Sequence, residues 1–402
     1  MNNMMEPKIR FKGFEGEWET QSLSDHNFSI IAGGDVDKKL LQNNGKYPVI
    51  ANALTNDGIL GYYMDSFRVN GPAVTVTGRG DIGVAIARHY SFTPVVRLLS
   101  IKSNHNVDFL ANAINCYKAA KESTGVPQLT TAKLQEYRIP IPKEMDEENA
   151  IASYFTSLDS QISASTSRLA SLKQMKAASL QAMFPQEGET VPKIRFKGFE
   201  GEWKKVMFSE TFEFLKNNSL SRAELSNEGD IVNVHYGDVL IKYGDLLNIQ
   251  NEELTFIADN KIGNTLYNSC HLQNGDIIIA DAAEDNTVGK CSEIVNICNK
   301  RVVSGLHTIP CRPLNHFAQG YLGHYINSES YHNQLLPLIQ GSKISSISKK
   351  TLSQTIVLVP SIEEQKCIGN YFTSLDRQIS LQSQRLEKLK QIKSACLDKM
   401  FV

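Results

Sequence analysis

PKIRFKGFEGEW at residues 7–18 returns without a change at residues 192–203. Twelve consecutive identities, 185 residues apart, are a true internal repeat. The only two tryptophans of the chain, Trp18 and Trp203, close the two copies. A second repeat follows each block: YFTSLDSQIS starts at Tyr154 and YFTSLDRQIS at Tyr371, an offset of 217. The offset grows by 32 residues, so the second half carries a longer stretch between its block and its second repeat. Two long copies do not make a solenoid, which needs several short ones. Like units bury like surfaces most simply about a twofold axis. The expectation is a pseudo-twofold, pseudo-circular molecule whose C-terminal end lies by the N-terminal block.

The second repeat predicts a long helix. Ile151, Phe155, Leu158, Ile162, Leu169 and Leu172 follow alternating steps of four and three, with Ser165 as the polar break. Ile368, Phe372, Leu375, Ile379, Leu386 and Leu389 repeat that spacing, with Gln382 as the break. This is the a/d seam of a heptad. Asp146, Glu147 and Glu148 in one copy, and Glu363 and Glu364 in the other, suit a helix N-terminus. Glu147 to Phe184 is 38 residues, or roughly 57 Å of helix. Two such helices are expected to pair as an antiparallel spacer. Their remaining faces carry Tyr154, Met175 and Leu180, and Tyr371, Ile392 and Leu397. These are the candidate partner-binding residues, because a lone helix pair cannot cover that apolar surface.

Composition bounds the function. The chain has 402 residues, 41% hydrophobic and 21% charged, as expected of a folded protein of two or three domains. Its 42 basic and 43 acidic residues exclude a protein that coats nucleic acid by bulk charge. No run of 18 apolar residues occurs and the N-terminus lacks a signal-peptide core. A cytoplasmic chain is expected. The seven scattered cysteines form no CxxC, so reduced thiols are expected and no metal site.

The stretches between the repeats read as mixed α/β. AVTVTGRGDIGVAIAR (73–88) is strand, turn, strand, and VVRLLSIK (95–102) is another strand. VDFLANAINCYKAA (107–120) has helical period. In the second half DIVNVHYGDVLI (230–241), GDIIIADAAE (275–284) and CSEIVNI (291–297) read as strands, and 316–336 as one helix. Gly78 to Gly83 match GxGxxG, but a strand follows where a dinucleotide site needs a helix. Gly289-Lys290 lacks the rest of a P-loop, and no Pro-Pro of an amino-methyltransferase motif occurs. His316, His324 and His332 are eight apart, not the i, i+4 of helical metal ligation. No catalytic constellation emerges.

Candidate DNA contacts are local. In the first half they are Lys38, Lys39, Arg79, Arg88 and Arg97, within residues 20–140 of net charge +3. In the second half they are Asn217, Asn218 and Arg222, then His235, Tyr236 and Lys242, then Lys290 and Lys343, within residues 204–360 of net charge −3. Arg, Lys and Asn are the side chains that read guanine and adenine edges.

The ordered, doubled set of motifs resembles the specificity subunit (HsdS) of type I restriction-modification systems. The resemblance rests on the IRFKGFEGEW blocks, the runs 125–142 and 341–360 that each carry a Leu eight residues before a closing proline (Leu134 and Pro142, Leu352 and Pro360), and the YFTSLDxQI helix starts. It implies an α+β chain with two mixed α/β target recognition domains, 1–140 and 192–358. Two long antiparallel coiled-coil helices, 141–184 and 359–402, would join them, with a linker at 185–191. It further implies double-stranded DNA as the ligand, read as an asymmetric gapped site. Two methyltransferase subunits, carrying S-adenosylmethionine, and two motor-nuclease subunits, using ATP and Mg, would be the partners. The chain itself would be non-catalytic and bind no cofactor. Rival readings are a self-contained nuclease or methyltransferase, and a coiled-coil adaptor that binds no DNA.

Overall fold

The computed structural model describes residues 6–117, 128–250, 252–341 and 344–401. The chain divides into two compact units, Met1–Ser167 with Gln384–Val402, and Arg168–Ser383. The boundary cuts both long helices, Met145–Met183 and Ile362–Met400. Each unit therefore owns one mixed α/β region and a part of each helix.

In the first unit the repeated block is a loop folded around an arginine. Arg10 Nη1 donates to the Gly16 carbonyl at 2.6 Å. Its Nε and Nη2 fork onto Glu147, each at 2.7 Å, in the first turn of the long helix. Gly13 and Gly16 take φ of 105° and 82°, which let the loop close where a side chain would be strained. Trp18 is buried, its indole N–H donating to Glu147 at 3.3 Å. Phe401, at the end of the second helix, packs edge-on to Trp18. The backbone N–H of Ile9 donates to Lys399 O at 3.0 Å. The C-terminal end of the chain thus lies by the N-terminal block, as the repeat requires.

The second unit repeats this construction. Arg195 forks onto Glu364 at 2.6 and 2.7 Å and donates to the Gly201 carbonyl at 2.6 Å. Trp203 is buried against Phe184, and Ile194 N–H donates to Ala182 O. One contact is not copied: the buried Trp203 indole N–H has no hydrogen-bond partner among the described residues.

The two long helices run antiparallel within each unit. In the first, Tyr154 Oη lies 3.4 Å from Cys396 Sγ, and Lys393 meets Asp159. In the second, Tyr371 Oη lies 2.8 Å from Ser179 Oγ, and Lys176 meets Asp376. Each residue of one set has its counterpart 217 positions away in the other. Of the heptad positions, Ile151, Phe155, Leu158, Leu172, Ile368, Phe372, Leu375 and Leu386 are buried. Ile162, Leu169, Ile379 and Leu389 are half-buried.

Each unit is built on an antiparallel core sheet. In the first, the strand order is Phe28–Ala32, Leu98–Ser103, Ala73–Thr77, Ala85–Arg88. In the second it is Phe212–Phe214, Thr308–Pro313, Ile277–Ala280, Cys291–Val295, with Leu246–Asn248 added in parallel at one edge. Strand Glu19–Ser22 pairs with Arg138–Ile141, and Lys204–Met207 with Ile356–Val359. Those two pairs bring each block to the start of a long helix.

Three expectations change. The run 230–241 is a strand, Ile231–Val234, followed by a helix, Tyr236–Ile241. His235 caps that helix by accepting from Gly237 N–H, and the apolar run Val239–Ile241 no longer alternates. The single helix expected over 316–336 is two short ones, Tyr321–Asn327 and Glu329–His332. Gly320, at φ 83°, starts the first, and the extended backbone of Ser328 separates them. The helix expected over 107–120 covers Val107–Cys116 with Tyr117 after it, and 118–120 lie outside the described residues.

Candidate nucleic-acid interface

The first unit presents its polar edge at the turns joining the core strands. Arg79 is exposed at the tip of the Ala73–Thr77 to Ala85–Arg88 hairpin. Asn52 ties two of these turns together: its Oδ1 accepts from Gly78 N–H at 2.9 Å, and its Nδ2 donates to Val96 O at 3.1 Å. Leu129 N–H donates to Gly78 O. Arg97 is exposed, with φ of 73°, and its Nη1 donates to Gln128 Oε1 at 3.1 Å. Lys38 and Lys39 are exposed on a separate loop. The candidates Arg79, Arg97, Lys38 and Lys39 are thus at the surface. Arg88 is not: it is 4% exposed, donating to Thr75 Oγ1, Tyr90 Oη and Asp57 O. Its place near the hairpin base turns it inward to satisfy carbonyl and hydroxyl oxygens.

In the second unit the sequence candidates divide more sharply. Asn217 is exposed and donates to Gly305 O at 3.3 Å. Asn218 is buried, its Nδ2 donating to Asn233 Oδ1 and Ser304 O. Arg222 forks onto Asp238 at 2.9 and 3.0 Å while half of its side chain stays exposed. His235 is buried; burial and the nearby Arg222 guanidinium push its pKa down, which keeps the ring neutral as a helix cap. Tyr236 is half-buried and meets His307 edge-on, with ring centroids 5.2 Å apart. Lys242 lies 3.8 Å from Glu253. Lys290 donates inward to Leu240 O and Tyr243 O, and burial lowers its pKa. Asn218, His235 and Lys290 are therefore parts of the fold and offer no side chain to a ligand. Lys343 lies outside the described residues.

Residue types and spacing missed four groups at these turns: Asn52, Gln128, Asp281 and His307. His307 is exposed, with φ of 53°, and its Nδ1 lies 3.1 Å from Asp281 Oδ1. Burial pushes the Asp281 carboxyl up, against the downward pull of His307. No spacing in the chain announces the left-handed backbone of Arg97 or His307, since residue type alone does not set it.

The second unit also holds a buried charge cluster. His324 Nε2 lies 2.8 Å from Asp376 Oδ2 and 3.7 Å from Asp245 Oδ2. These three groups have a metal-ligand arrangement, but the Lys176 ammonium sits between the carboxylates, 2.6 Å from Asp245 and bonded to Asp376. Lysine supplies the cation. Burial alone would raise Asp376, but the hydrogen bond from His324 and the Lys176 charge hold it below the usual range. Burial alone would lower Lys176, yet the two aspartates raise it. The Lys176–Asp376 attraction is thus lost when pH falls through the lowered Asp376 value or rises through the raised Lys176 value. In the first unit the counterpart pair, Lys393 and Asp159, is more exposed.

Four of the partner-binding candidates are not free. Tyr154 and Leu397 pack against the core of the first unit, and Leu180 and Tyr371 against that of the second. The ring of Phe11 meets Tyr154, and that of Phe196 meets Tyr371. Met175, at 51%, and Ile392, at 37%, are the exposed members. Beside Met175 a cleft of about 360 Å3 is lined by Ala178, Ala182, Ile194 and Phe196.

Among the described residues, no helix is long and apolar enough to cross a membrane. The sequence profile of the type I restriction modification DNA specificity domain matches residues 15–174 and again 200–391. The chain is 33% identical over 131 residues to a putative type I specificity subunit of Mycoplasma pneumoniae, covering 31% of this chain and 36% of that protein. It is 20% identical to the specificity subunit of the Methanocaldococcus jannaschii type I restriction enzyme MjaVIII, over 70% of this chain and 65% of that one. The matches thus span between a third and two thirds of these relatives' length. The fold is shared with the crystal structure of a type I restriction-modification S subunit from M. genitalium, at a TM-score of 0.64 and 16% identity over 99% of both chains. With its profile matched twice along most of its length, the chain belongs to the type I restriction modification DNA specificity domain family.

Proposed function

We propose that this chain selects the DNA sequence for a type I restriction-modification complex and catalyses no step itself. One observation carries the reading: the two blocks and helix starts are near-identical, while the regions between them differ in length and in sheet topology. Constant parts suit binding to two copies of one partner, and unlike parts suit two unlike half-sites. The methyl donor S-adenosylmethionine is assigned to a partner methyltransferase, and ATP with Mg to a partner motor-nuclease, two copies of each. Its place of action is the cytoplasm, where those partners and chromosomal DNA meet. The test is methylome sequencing of a host that expresses this chain with its methyltransferase. The expected motif is asymmetric and gapped. A palindromic or continuous motif would count against the proposal, and methylation or cleavage by the isolated chain would favour a self-contained enzyme.

The exposed apolar residues beside the helix pair fit the methyltransferase contact. Met175→Asp with Ile392→Asp is expected to lower the share of the one-to-two complex at least tenfold in native mass spectrometry. The methylated motif should not change. Leu180 and Leu397 are poorer targets, because a charge there also strikes the core. Unaltered assembly would remove this surface from consideration.

A further inference from the structure

The core sheets place one residue of each unit in the same position. The strands Leu98–Ser103 and Thr308–Pro313 share a burial pattern, four buried residues and then two half-buried. Each is central in its sheet, between the strand that opens the sheet and the strand Ala73–Thr77 or Ile277–Ala280. The residue just before it is Arg97 in one unit and His307 in the other. They are 210 positions apart, an offset that neither sequence repeat would align.

Both residues hold a left-handed backbone, with φ of 73° and 53°. A left-handed backbone is uncommon outside glycine, and such conformations concentrate at ligand sites. Both side chains are exposed. Each turn abuts the residue that follows the neighbouring strand. A Cβ on Gly78 would fall 2.2 Å from Arg97 O, so only glycine fits there. Asp281 N–H donates to His307 O at 3.1 Å. Each exposed side chain is also aimed by a second group, Gln128 on Arg97 and Asp281 on His307.

We propose that Arg97 and His307 are the base-reading residues of the two half-sites. This rests on the DNA-specificity reading above. With one Nη1 hydrogen held by Gln128, the Arg97 guanidinium keeps donors for O6 and N7 of a guanine. A carboxylate only accepts, so the His307 tautomer that Asp281 selects carries its proton on Nδ1. Nε2 is then an acceptor, and it reads an exocyclic amino group, N6 of adenine or N4 of cytosine. One half-site is selected by a donor and the other by an acceptor. Gln128 and Asp281 are positioning residues.

The test uses the full chain with its partner methyltransferase and compares methylomes. Arg97→Ala is expected to relax one guanine of one half-site, with discrimination falling roughly ten- to hundredfold, and to leave the other half unchanged. His307→Ala should relax one adenine or cytosine in the other half. Arg97→Lys keeps the charge but loses the fork, and His307→Asn keeps a residue that tolerates the left-handed turn. These variants separate base reading from misfolding, because they should still assemble and still relax the same positions. An unchanged motif, an even loss of methylation at all sites, relaxation of an A·T pair by Arg97→Ala, or relaxation in both halves by either variant would overturn the assignment. A wild-type motif without a gap would instead overturn the underlying function.

Discussion

Glu364→Ala is expected to lower the stability of the second unit by about 3–5 kcal/mol, the cost of stranding one member of a buried ion pair. The carboxylate is 1% exposed and accepts two hydrogen bonds from Arg195. Without it the Nε and Nη2 donors face a closed site, while Nη1 still binds Gly201 O. Arg195→Ala should cost a similar amount. The double variant Arg195→Met with Glu364→Leu should recover most of the loss, because an apolar pair leaves no charge unpaired. The first unit sharpens the expectation. Trp18 also donates to Glu147, whereas Trp203 has no such partner among the described residues. Glu147→Ala should therefore cost about 1 kcal/mol more than Glu364→Ala, the worth of one further buried hydrogen bond. Each unit holds one of the two tryptophans. Trp18→Phe and Trp203→Phe backgrounds therefore let denaturant titrations follow one unit at a time by fluorescence. A Glu364→Ala midpoint shift worth less than 1 kcal/mol would show that the fork does not hold the block in place.

That ion pair marks the limit of the linear reading. The heptad seam was legible because packing partners along a helix recur at fixed spacing. The arginine and the glutamate lie in repeats of different offset, 185 and 217, so nothing in the spacing joins Arg10 to Glu147. The strand pair Glu19–Ser22 with Arg138–Ile141 makes that meeting. The acidic first turn looked like helix-dipole complement, but Glu147 and Glu148 are buried and serve as acceptors for Arg10, Trp18, His105 and the backbone of Asn106. The same blindness affected the DNA candidates. Arg79 and Arg97 were legible as loop cations, whereas Arg88 and Lys290 satisfy oxygens inside the fold. A cation in a strand-like run has the same letter whether it faces water or a carbonyl, and only the sheet order decides. The left-handed backbone of His307 and its place before a central strand are not encoded by residue type.

Replacing residues 19–140 by the matching region of a related chain is expected to change one half-site completely and leave the other untouched. The join is favourable because the strand at one cut, starting at Glu19, pairs with the strand at the other through backbone hydrogen bonds, in the register Glu19 with Ile141. Such bonds are indifferent to most side chains. The block, with Arg10 and Trp18, and the helix start, with Glu147, stay outside the graft, so the fork survives. The graft must nevertheless supply two contacts. His105 Nδ1 lies 2.8 Å from the buried Glu148, and Phe109 stacks on Phe401 at 5.4 Å. A donor region lacking a hydrogen-bond donor at the His105 position would leave Glu148 with only the Asn106 N–H. That costs on the order of 1–3 kcal/mol. The second unit holds Gln365 at the counterpart of Glu148, where its oxygen accepts from Ala318 N–H and its amide donates to Pro360 O. A graft without the histidine should accordingly be rescued by Glu148→Gln, while a graft with it needs no change. Methylome sequencing of each chimaera decides the matter: if both half-sites change, or if the rescued graft assembles but keeps the original motif, the first region does not read its half-site independently.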